Sequence, residues 1–445
     1  MTTGLSDETS SGDNKVNIVV IGGGIIGCTT AYYLSRHPRY SPETHSVILI
    51  EKTRLAGGAS GKAGGLLAQW AYPASIVPLS YSLHAELAAE HDGRRSWGYR
   101  SIRCGKITAQ SREQSATSGI APLSRLLQQL ATWVPLGKVK ELTKDAGNIT
   151  EASIPEDLDW FRQECIEKYE DIAPEQGTAQ VHPYQFTLMM AKLAAEKGVK
   201  ILFGAVEEIV YATSEASAVL DTQSMRKVHS VRYVDRRSTA RAESISADFV
   251  VIAAGPWTPQ LFPSVPMNAL RAHSVTIKPS RLTSAYCLFT EIRRRVTSPA
   301  YSFPGASPSD EFESTVCPEI YSRPNNEVYI AGSGDDRVPL PASTDEVEVD
   351  REACQLIEEA LVNISDELRL GTITGRRACY LPTVDLPSGN PLVGPTWIEG
   401  LLLATGHSCW GIHNAPATGK LISELVFDGR PMSADISTLD PRLVI

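Results

Sequence analysis

The sequence lacks a long block of basic residues, although proteins that bind nucleic acids usually carry one on the surface that follows the phosphates. Its 51 aspartate and glutamate residues outnumber 42 lysine and arginine residues, so the formal net charge is −9. A chain of this charge is repelled by a polyanion. We therefore expect no nucleic-acid partner.

The sequence also lacks paired cysteines. Its eight cysteines form no Cys-x-x-Cys pair and no spacing typical of a zinc site. This pattern favours reduced thiols inside a cell and predicts no metal site. We expect a cytoplasmic protein, and peripheral association with endosomes stays open. The positions are Cys28, Cys104, Cys165, Cys287, Cys317, Cys354, Cys379 and Cys409.

Long hydrophobic runs are scarce. Residues 1–15 are rich in small polar and acidic residues and have no apolar core, so they predict a disordered tail and not a signal peptide. Residues 16–34 are apolar enough to suggest a membrane helix, but four glycines and two threonines interrupt them. No other segment is long and apolar enough, and we expect no membrane span.

The chain does contain enough apolar material for a large core, since 42% of its 445 residues are hydrophobic. This length suits two or three ordinary domains, or two interleaved ones. We expect a monomer.

The stretch 16–51 contains the strongest pattern. The β-branched run Val16–Ile21 leads into Gly22-Gly-Gly-Ile-Ile-Gly27, and a helix is predicted from Cys28 to Ser35. A second apolar run, Val47–Ile50, ends at Glu51. A strand, a glycine turn, a helix and a second strand ending in an acid are typical of a dinucleotide-binding unit.

Each glycine has a physical role in this unit. Gly22 permits the tight turn, Gly24 lets a pyrophosphate approach the backbone, and Gly27 lets the helix pack closely on the sheet. The helix N-terminus offers free N–H groups and partial positive charge to the phosphates. The Glu51 carboxylate is suited to accept hydrogen bonds from ribose hydroxyls, in FAD or in NAD.

A second glycine-rich loop follows at residues 57–65, where Ser60 and free amides are suited to bind phosphate or ribitol oxygens. Further on, residues 249–257 predict a buried strand that ends in small residues. The alternating segments between residues 271 and 334 predict a mainly antiparallel sheet that could wall a substrate cavity.

Other elements are predicted from local patterns. Residues 76–175 indicate mostly helical and irregular structure, with helices at Ser80–Glu90 and Leu123–Leu130 and a capped helix start at Ser153–Trp160. Further helices are predicted at 187–196, 347–362 and 415–426, and strands at 198–203, 204–211, 228–233, 244–251 and 401–407.

Taken together, these motifs resemble the D-amino-acid oxidase superfamily of FAD-dependent oxidoreductases, in its glycine, sarcosine and dimethylglycine oxidase branch. The chain also resembles fungal oxidoreductases of the topoisomerase-damage-affected type. Besides the two glycine loops, the resemblance rests on His182-Pro183, on Val250-Val-Ile-Ala-Ala-Gly-Pro-Trp257 and on Ala404–Gly419. It covers most of residues 16–445 and is weakest between 76 and 175.

The resemblance implies an α/β fold, α+β overall, with a Rossmann-type FAD-binding domain and an interleaved antiparallel-sheet substrate domain. The FAD-binding part would comprise 16–75, 185–262 and 370–445, and the substrate part 76–184 and 263–369. The implied FAD-binding residues are Gly22, Gly23, Gly24, Ile25, Ile26, Gly27, Glu51, Lys52, Ser60, Gly61, Lys62, Gly64, Gly65, Leu66, Val206, Ala254, Gly255, Trp257, Leu381, Gly406, His407, Trp410, Gly411, Ile412 and His413.

The chain departs from this family where glycine-oxidase-like members carry arginines that clamp a substrate carboxylate. Leu381 and Cys409 occupy the two matching positions. A simple α-amino acid is therefore a poor substrate unless another cation replaces them. The candidates are Arg271, Arg281, Arg323 and Lys62.

Two further positions bear on the flavin. Cys379 matches the cysteine that holds a covalent flavin in monomeric sarcosine oxidases, although a small buried hydrophobe is the simpler interpretation. Lys62 stands where dimethylglycine-type enzymes carry a flavin-linked histidine, which excludes that linkage. We therefore expect non-covalent FAD. As catalytic candidates we name Lys62, Tyr380, His407 and His413, although core packing also explains the last three.

The resulting hypothesis is an FAD-dependent oxidoreductase that oxidises a C–N bond of an amine or amino-acid derivative by hydride transfer to flavin. Two alternatives stay open. One is an NAD-dependent dehydrogenase, since Glu51 suits NAD as well. The other is a non-enzymatic or weakly active flavoprotein that acts through partners in trafficking or stress responses, which the missing carboxylate arginines favour.

Overall fold

The computed structural model describes residues 15–112, 150–173, 177–213, 226–236, 241–297 and 311–445. Residues 1–14 of the predicted tail and the predicted helix Leu123–Leu130 lie outside the described residues. The described α-helices are α1 (Ile25–Leu34), α2 (Val77–Glu90), α3 (Gly93–Ser96), α4 (Pro183–Glu196), α5 (Thr258–Leu261), α6 (Arg351–Val362), α7 (Asp366–Arg369) and α8 (Gly411–Asp428).

The described strands form three sheets. They are β1 (Val16–Ile21), β2 (His45–Glu51), β3 (Leu66–Ala68), β4 (Arg100–Ser101), β5 (Arg103–Gln110), β6 (Thr150–Ala152), β7 (Ile166–Ala173), β8 (Thr178–Gln180), β9 (Lys200–Thr213), β10 (Arg226–Asp235), β11 (Ala242–Ser246), β12 (Phe249–Ile252), β13 (Met267–Lys278), β14 (Tyr286–Thr297), β15 (Glu311–Val316), β16 (Glu319–Arg323), β17 (Glu327–Asp335), β18 (Thr372–Val384), β19 (Leu392–Pro395) and β20 (Leu401–Thr405).

The first sheet has the order β11-β10-β9-β2-β1-β12-β20-β19. Its central strands β9, β2, β1, β12 and β20 run parallel, and antiparallel strands complete both edges. Helix α1 packs against α4 and α8 over one face. The apolar runs of β1 and β2 are buried because both faces of the parallel strands are covered. Helices pack on one face, and residues of β9 and β10 pack on the other.

The second sheet has the order β18-β13-β17-β16-β14-β5-β7-β6, and β15 also pairs with β14. It is antiparallel except where β14 runs parallel to β5. Helix α6 packs on one face through Cys354, Ile357 and Leu361. The other face turns toward the loops of the first sheet. The expected fold class, an α/β nucleotide-type unit interleaved with a mainly antiparallel sheet, is confirmed.

Among the described residues, the prediction of mostly helical and irregular structure for residues 76–175 was wrong where strands β5, β6 and β7 form, and residues 113–149 lie outside the described residues. Strands β5 and β7 pair there toward one edge of the second sheet, next to β14. The polar residues of β7 conceal its alternation, since Lys168, Glu170 and Asp171 separate its few apolar side chains. Pairing with a distant strand therefore decided this segment, and local propensity did not.

The predicted helix start at Ser153–Trp160 was also wrong, because this segment forms turns. Leu158 and Trp160 are buried in the core beneath the second sheet, and the Trp160 indole N–H donates to Ser284 Oγ at 2.9 Å. These distant contacts fix the segment in an irregular conformation.

Two strand boundaries differ from the prediction. The two predicted strands at 198–203 and 204–211 are one strand, β9 (Lys200–Thr213), because Gly204 is paired within it and leaves room for the Tyr233 ring, which a Cβ would approach to 2.6 Å. Residues 244–251 instead form two strands, β11 and β12. The chain changes partners from β10 to β1 at Ala247 and Asp248, where Asp248 N donates to Asn17 O.

The last helix begins at Gly411, four residues before its predicted start, and contains Pro416. A proline inside a helix leaves the carbonyl four residues earlier without its N–H partner. Here His84 Nε2 lies 3.1 Å from that carbonyl, Ile412 O, and Ser80 Oγ donates to His413 O at 2.6 Å. Side chains of α2 therefore satisfy the carbonyls near the proline.

The predicted domain limits differ from the sheets at two places. Strand β18 was assigned to the FAD-binding part, yet it pairs with β13 along the second sheet. Helix α2 was assigned to the substrate part, yet it packs against α8, and its Leu87 belongs to the core of the first sheet. The rest of the division stays a prediction.

Candidate active site

The turn after β1 has the geometry that a dinucleotide requires. Gly22 has a φ of +116°, and a Cβ there would lie 2.4 Å from Ala253 O. A Cβ on Gly27 would lie 1.9 Å from Gly22 O, so helix α1 can follow the turn this closely only with glycine. The first turn of α1 leaves backbone N–H groups without intrahelical partners.

Glu51 closes this turn from the next strand. Its Oε2 accepts a hydrogen bond from Gly23 N at 2.7 Å, and its Oε1 accepts one from Thr53 N at 2.9 Å. Oε1 also accepts from Thr53 Oγ1 at 3.3 Å. Since a carboxylate offers about four acceptor positions, Oε2 retains capacity for a ribose hydroxyl. Glu51 thus shapes the glycine turn as well as the wall of the cavity beside it.

The second glycine loop is attached to the first. Ser60 Oγ accepts a hydrogen bond from Ile25 N at 2.9 Å and so binds an N–H at the start of α1. Arg323, buried in β16, donates to the carbonyl oxygens of Ala63 and Gly64 from the other side. The loop is held between the two sheets.

A cavity of about 360 Å³ lies along both loops, at the carboxyl ends of the parallel strands. Open α/β sheets bind ligands in this place. The predicted residues that line it are Gly22, Gly24, Ile25, Ile26, Glu51, Lys52, Ser60, Val206, Ala254, Gly255, Trp257, Leu381, Gly406, His407, Gly411 and Ile412. Those that sequence reasoning missed include Thr53, Glu207, Gln260, Thr344 and Thr405.

A second cavity of about 90 Å³ adjoins the first. Ala59, Ala63, Leu381, Cys409 and Ile412 line both cavities. The predicted residues Lys62, Gly64, Gly65, Leu66 and Trp410 also line the second one. The face of the second sheet supplies the rest of the wall, which agrees with the expectation that this sheet bounds a cavity. Its lining residues include His273, Ser274, Phe289, Glu319, Tyr321 and Tyr329.

The family model described as FAD dependent oxidoreductase (DAO) matches residues 17–425. The chain belongs to this family. It is 34% identical to "Putative oxidoreductase TDA3" of Saccharomyces cerevisiae, with 98% of this chain and 96% of the relative covered. It is 30% identical to a Schizosaccharomyces pombe relative that is also named an oxidoreductase, with 96% of this chain and 98% of the relative covered.

Solved structures agree with the fold. Glycine oxidase from Geobacillus kaustophilus superposes with a TM-score of 0.65 at 17% identity, with 96% of this chain and 98% of that chain covered. L-proline dehydrogenase from P. horikoshii gives a TM-score of 0.64 at 17% identity, with 96% and 97% covered. At these identities the likeness supports the fold alone.

The first cavity of this FAD-dependent oxidoreductase fits the family's cofactor. The N-terminus of α1 and the glycine turn present N–H groups to a pyrophosphate, and Glu51 lies where a ribose would bind. Gly411 and Ile412 place the N-terminus of the 18-residue helix α8 at the cavity. A helix N-terminus favours negative charge.

Two of the four predicted catalytic residues line the cavities. Lys62 lies at the second cavity, where its Nζ donates to Ala378 O at 2.8 Å and burial lowers its pKa. His407 lies at the first cavity, with Nε2 3.0 Å from Thr418 Oγ1. Burial lowers the pKa of His407 to about 3, so its ring is neutral at physiological pH.

The other two predicted catalytic residues, Tyr380 and His413, are buried and line neither cavity. Tyr380 is buried, and its hydroxyl donates to Val338 O at 2.8 Å. The His413 ring, in the first turn of α8, packs against the rings of Tyr81, His84 and Trp410. A site role for Tyr380 and His413 therefore does not agree with their positions, because their side chains point into the core.

Three of the four proposed substitute cations are engaged elsewhere. Arg271 is 4% exposed and pairs with the equally buried Asp335 at 3.1 Å. Arg281 is exposed and forms ion pairs with Asp159 and Glu367. Arg323 holds the second glycine loop. Among the four, only Lys62 lines a cavity.

Cys379 lies at the second cavity next to Lys62. Burial raises the pKa of its thiol to about 11, although Lys62 partly opposes this. A thiol of this kind is a poor nucleophile at neutral pH.

Sequence reasoning missed Glu319 and Tyr321 as cavity residues. The Tyr321 hydroxyl donates to Glu319 Oε2 at 2.6 Å. The available signal was their spacing, since residues two apart on a strand share a face. What was missing was knowledge of which face of the sheet meets the cavity.

Within the part of the chain that the structure describes, no helix is long and apolar enough to cross a membrane. The same residues contain no cluster of three or more His, Cys, Asp or Glu side chains that could hold a metal ion.

Proposed function

We propose that this protein is an FAD-dependent oxidoreductase that oxidises a C–N bond of an amine or amino-acid derivative and binds FAD without a covalent bond. The observation that carries the proposal is the pair of adjoining cavities, one with a dinucleotide cradle and one small and partly aromatic. The chemistry that FAD supplies when bound is acceptance of a hydride from the carbon next to the substrate nitrogen.

The protein's own residues orient the reactants in this proposal. The two glycine loops and Glu51 hold the dinucleotide end of the cofactor, and Leu381, Cys409 and Ile412 separate the two cavities with uncharged side chains. Lys62 supplies a positive charge at the second cavity. Glycine oxidase and L-amino acid deaminase are among the solved structures of similar fold, which supports an amine-type substrate in general terms.

The first experiment is a visible absorption spectrum of the purified protein, repeated on supernatant and pellet after acid precipitation. We expect a flavin spectrum that is released to the supernatant. Colour kept in the pellet would instead indicate a covalent flavin at Cys379. Colourless protein that does not take up added FAD would refute the cofactor assignment.

The second experiment tests the reaction. The FAD-loaded protein is mixed without oxygen with a panel of primary, secondary and tertiary amines and amino acids, and bleaching of the flavin absorbance is followed. We expect bleaching with at least one amine. If no amine bleaches a fully loaded flavin, the alternative of a flavoprotein that acts through partners gains support, and the uncharged Leu381 and Cys409 positions already point in that direction.

A further inference from the structure

Glu319 presents an unusual electrostatic arrangement at the second cavity. It lies on β16 opposite Phe289 of β14 and Ala331 of β17. One of its oxygens accepts the Tyr321 hydrogen bond. Within the described residues, no lysine, arginine or histidine forms an ion pair with it. Glu319 is partly exposed toward the cavity, and a carboxylate that is largely shielded from water is normally paired with a cation.

The surroundings of Glu319 are aromatic and uncharged. Tyr321 lies opposite Tyr329 and Cys287 across the two neighbouring strands, so all these side chains share the face that borders the cavity. The Tyr321 and Tyr329 rings lie 5.7 Å apart in an edge-to-face arrangement. From the opposite side Trp410 completes the wall.

The titratable groups near Glu319 come from four elements and contribute no positive charge. They are Tyr321 on β16, Tyr329 on β17, Cys287 on β14 and Cys409 before α8. Burial raises the pKa of Glu319 itself, and the Tyr321 hydrogen bond opposes this. Binding of a cation would favour the ionised carboxylate.

Lys62 lies at a different part of the same cavity. Cys379 is close to Lys62, whereas Tyr329 is close to both Cys379 and Glu319. Glu319 itself has no resolved interaction with Lys62. The cavity is therefore bipolar, with its acidic end enclosed by aromatic rings.

We propose that the second cavity binds a positively charged alkylammonium group, with Glu319 as counter-ion and the surrounding aromatic rings as walls. This proposal rests on the proposed function, since it names the substrate class of the same site. Aromatic faces attract alkylammonium ions through their quadrupoles, and more strongly when both are desolvated. The volume of about 90 Å³ is smaller than the cavity of ~150 Å³ that admits benzene, which limits the group to a few carbon atoms.

Tetramethylammonium chloride is a suitable probe because it is permanently charged and has no nitrogen lone pair to support oxidation. The FAD-loaded protein is titrated with it while the flavin difference spectrum is recorded, and tert-butanol serves as an uncharged probe of similar shape. We expect a saturable change with tetramethylammonium only. Equal binding of tert-butanol would overturn the proposal, because the site would then select shape and not charge.

Two substitutions test the role of Glu319. Glu319→Gln is expected to weaken tetramethylammonium binding at least tenfold, whereas Glu291→Gln, on neighbouring β14 and outside the cavity lining, is expected to leave it unchanged. Tyr321→Phe keeps the ring but removes the hydrogen bond that lowers the pKa of Glu319. It should therefore move the pH midpoint of binding upward. Unchanged affinity in Glu319→Gln would refute the proposal.

Calorimetry separates this proposal from the proposed function. The heat of tetramethylammonium binding is measured on the wild type and the three variants, because this signal does not depend on flavin absorbance. Protein that takes up no FAD would contradict the proposed function, yet the dependence of the binding heat on Glu319 would still decide the alkylammonium site. Absence of binding heat in FAD-loaded wild-type protein would overturn the site and leave the flavin assignment intact.

Discussion

Gly27 allows helix α1 to pack closely against the glycine turn because it has no side chain. A Cβ there would lie 1.9 Å from Gly22 O, which is backbone and cannot rotate away. We expect Gly27→Ala to separate α1 from β1, to lower the free energy of unfolding by roughly 2–4 kcal/mol and to abolish most FAD retention. Urea unfolding and flavin content per chain measure both effects.

The matched control is Gly177→Ala, since a Cβ at Gly177 meets nothing within 4 Å and its φ is not positive. Its stability is expected to stay within about 0.5 kcal/mol of the wild type. If Gly27→Ala retained wild-type flavin, the assignment of this turn to the pyrophosphate would be wrong.

Lys62 is the second residue with a specific consequence. Its ammonium group lines the second cavity and is partly buried, so it offers a charge to an anionic part of the substrate. We expect Lys62→Met to raise KM at least tenfold for amines that carry a carboxylate. For amines without a carboxylate, KM should stay within threefold of the wild-type value. Steady-state kinetics on matched pairs, such as sarcosine against dimethylamine, measure this difference. An equal effect on both members would assign Lys62 a structural role.

At the scale of elements, the second glycine loop depends on strand β16. Arg323 is 3% exposed, donates to Ala63 O and Gly64 O, pairs with Glu327 at 2.9 Å and stacks over the Tyr329 ring. The Arg323 guanidinium thus connects the second sheet to the second glycine loop.

Removal of this connection should affect both stability and cofactor binding. Because Arg323→Met leaves two carbonyls and the Glu327 carboxylate without their partner, we expect a loss of roughly 3 kcal/mol in unfolding free energy and weaker FAD binding. Arg281→Met is the control, as its ion pairs are exposed and its loss should cost below about 1 kcal/mol. Chemical denaturation and FAD titration compare the two variants. Equal losses of unfolding free energy and of FAD affinity would contradict the proposed role of Arg323 in holding the second glycine loop.

At the scale of the whole molecule, buried histidines couple stability to pH. Burial lowers the pKa of His84 and His273 to about 4 and that of His407 to about 3, against an ordinary value of 6.5. The unfolded chain therefore binds more protons between pH 6.5 and 4. Stability should be fully present above pH 6.5 and fall as the pH decreases through this window.

His273→Gln tests this coupling. Its Nε2 accepts a hydrogen bond from Asp350 N at 3.0 Å, and a glutamine oxygen can accept the same bond. One histidine with a folded pKa of about 4 should account for about 1.4 kcal/mol of lost stability at pH 5.5. Denaturation midpoints across pH 5–8 should give a shallower slope for His273→Gln than for the wild type, and an unchanged slope would contradict the coupling through His273.

Much of the nucleotide-binding unit could be predicted because its signals are local. The turn after β1 needs glycines for steric reasons, and their spacing within residues 22–27 is visible in the sequence. Glu51 is recognisable in the same way, because it is the acidic residue at the end of the next strand. Most of the cofactor-binding residues that the family resemblance implies also line the first cavity. Local prediction failed where distant partners decided, as in β7 and in the turns around Trp160.

The sequence by itself thus determined the family and the mixed α/β class, through motifs spread over most of the chain. It also determined the dinucleotide cradle, since that turn depends on backbone geometry encoded within residues 16–51. Only the tertiary structure decided the second cavity, because its wall joins strands from distant parts of the chain. It buried Tyr380 and His413 in the core, engaged Arg271 and Arg323 in ion pairs, and brought Glu319, which pairs with no cation among the described residues, to an aromatic surface. Burial and charge pairing, which decide the chemistry of that cavity, are properties of the assembled fold.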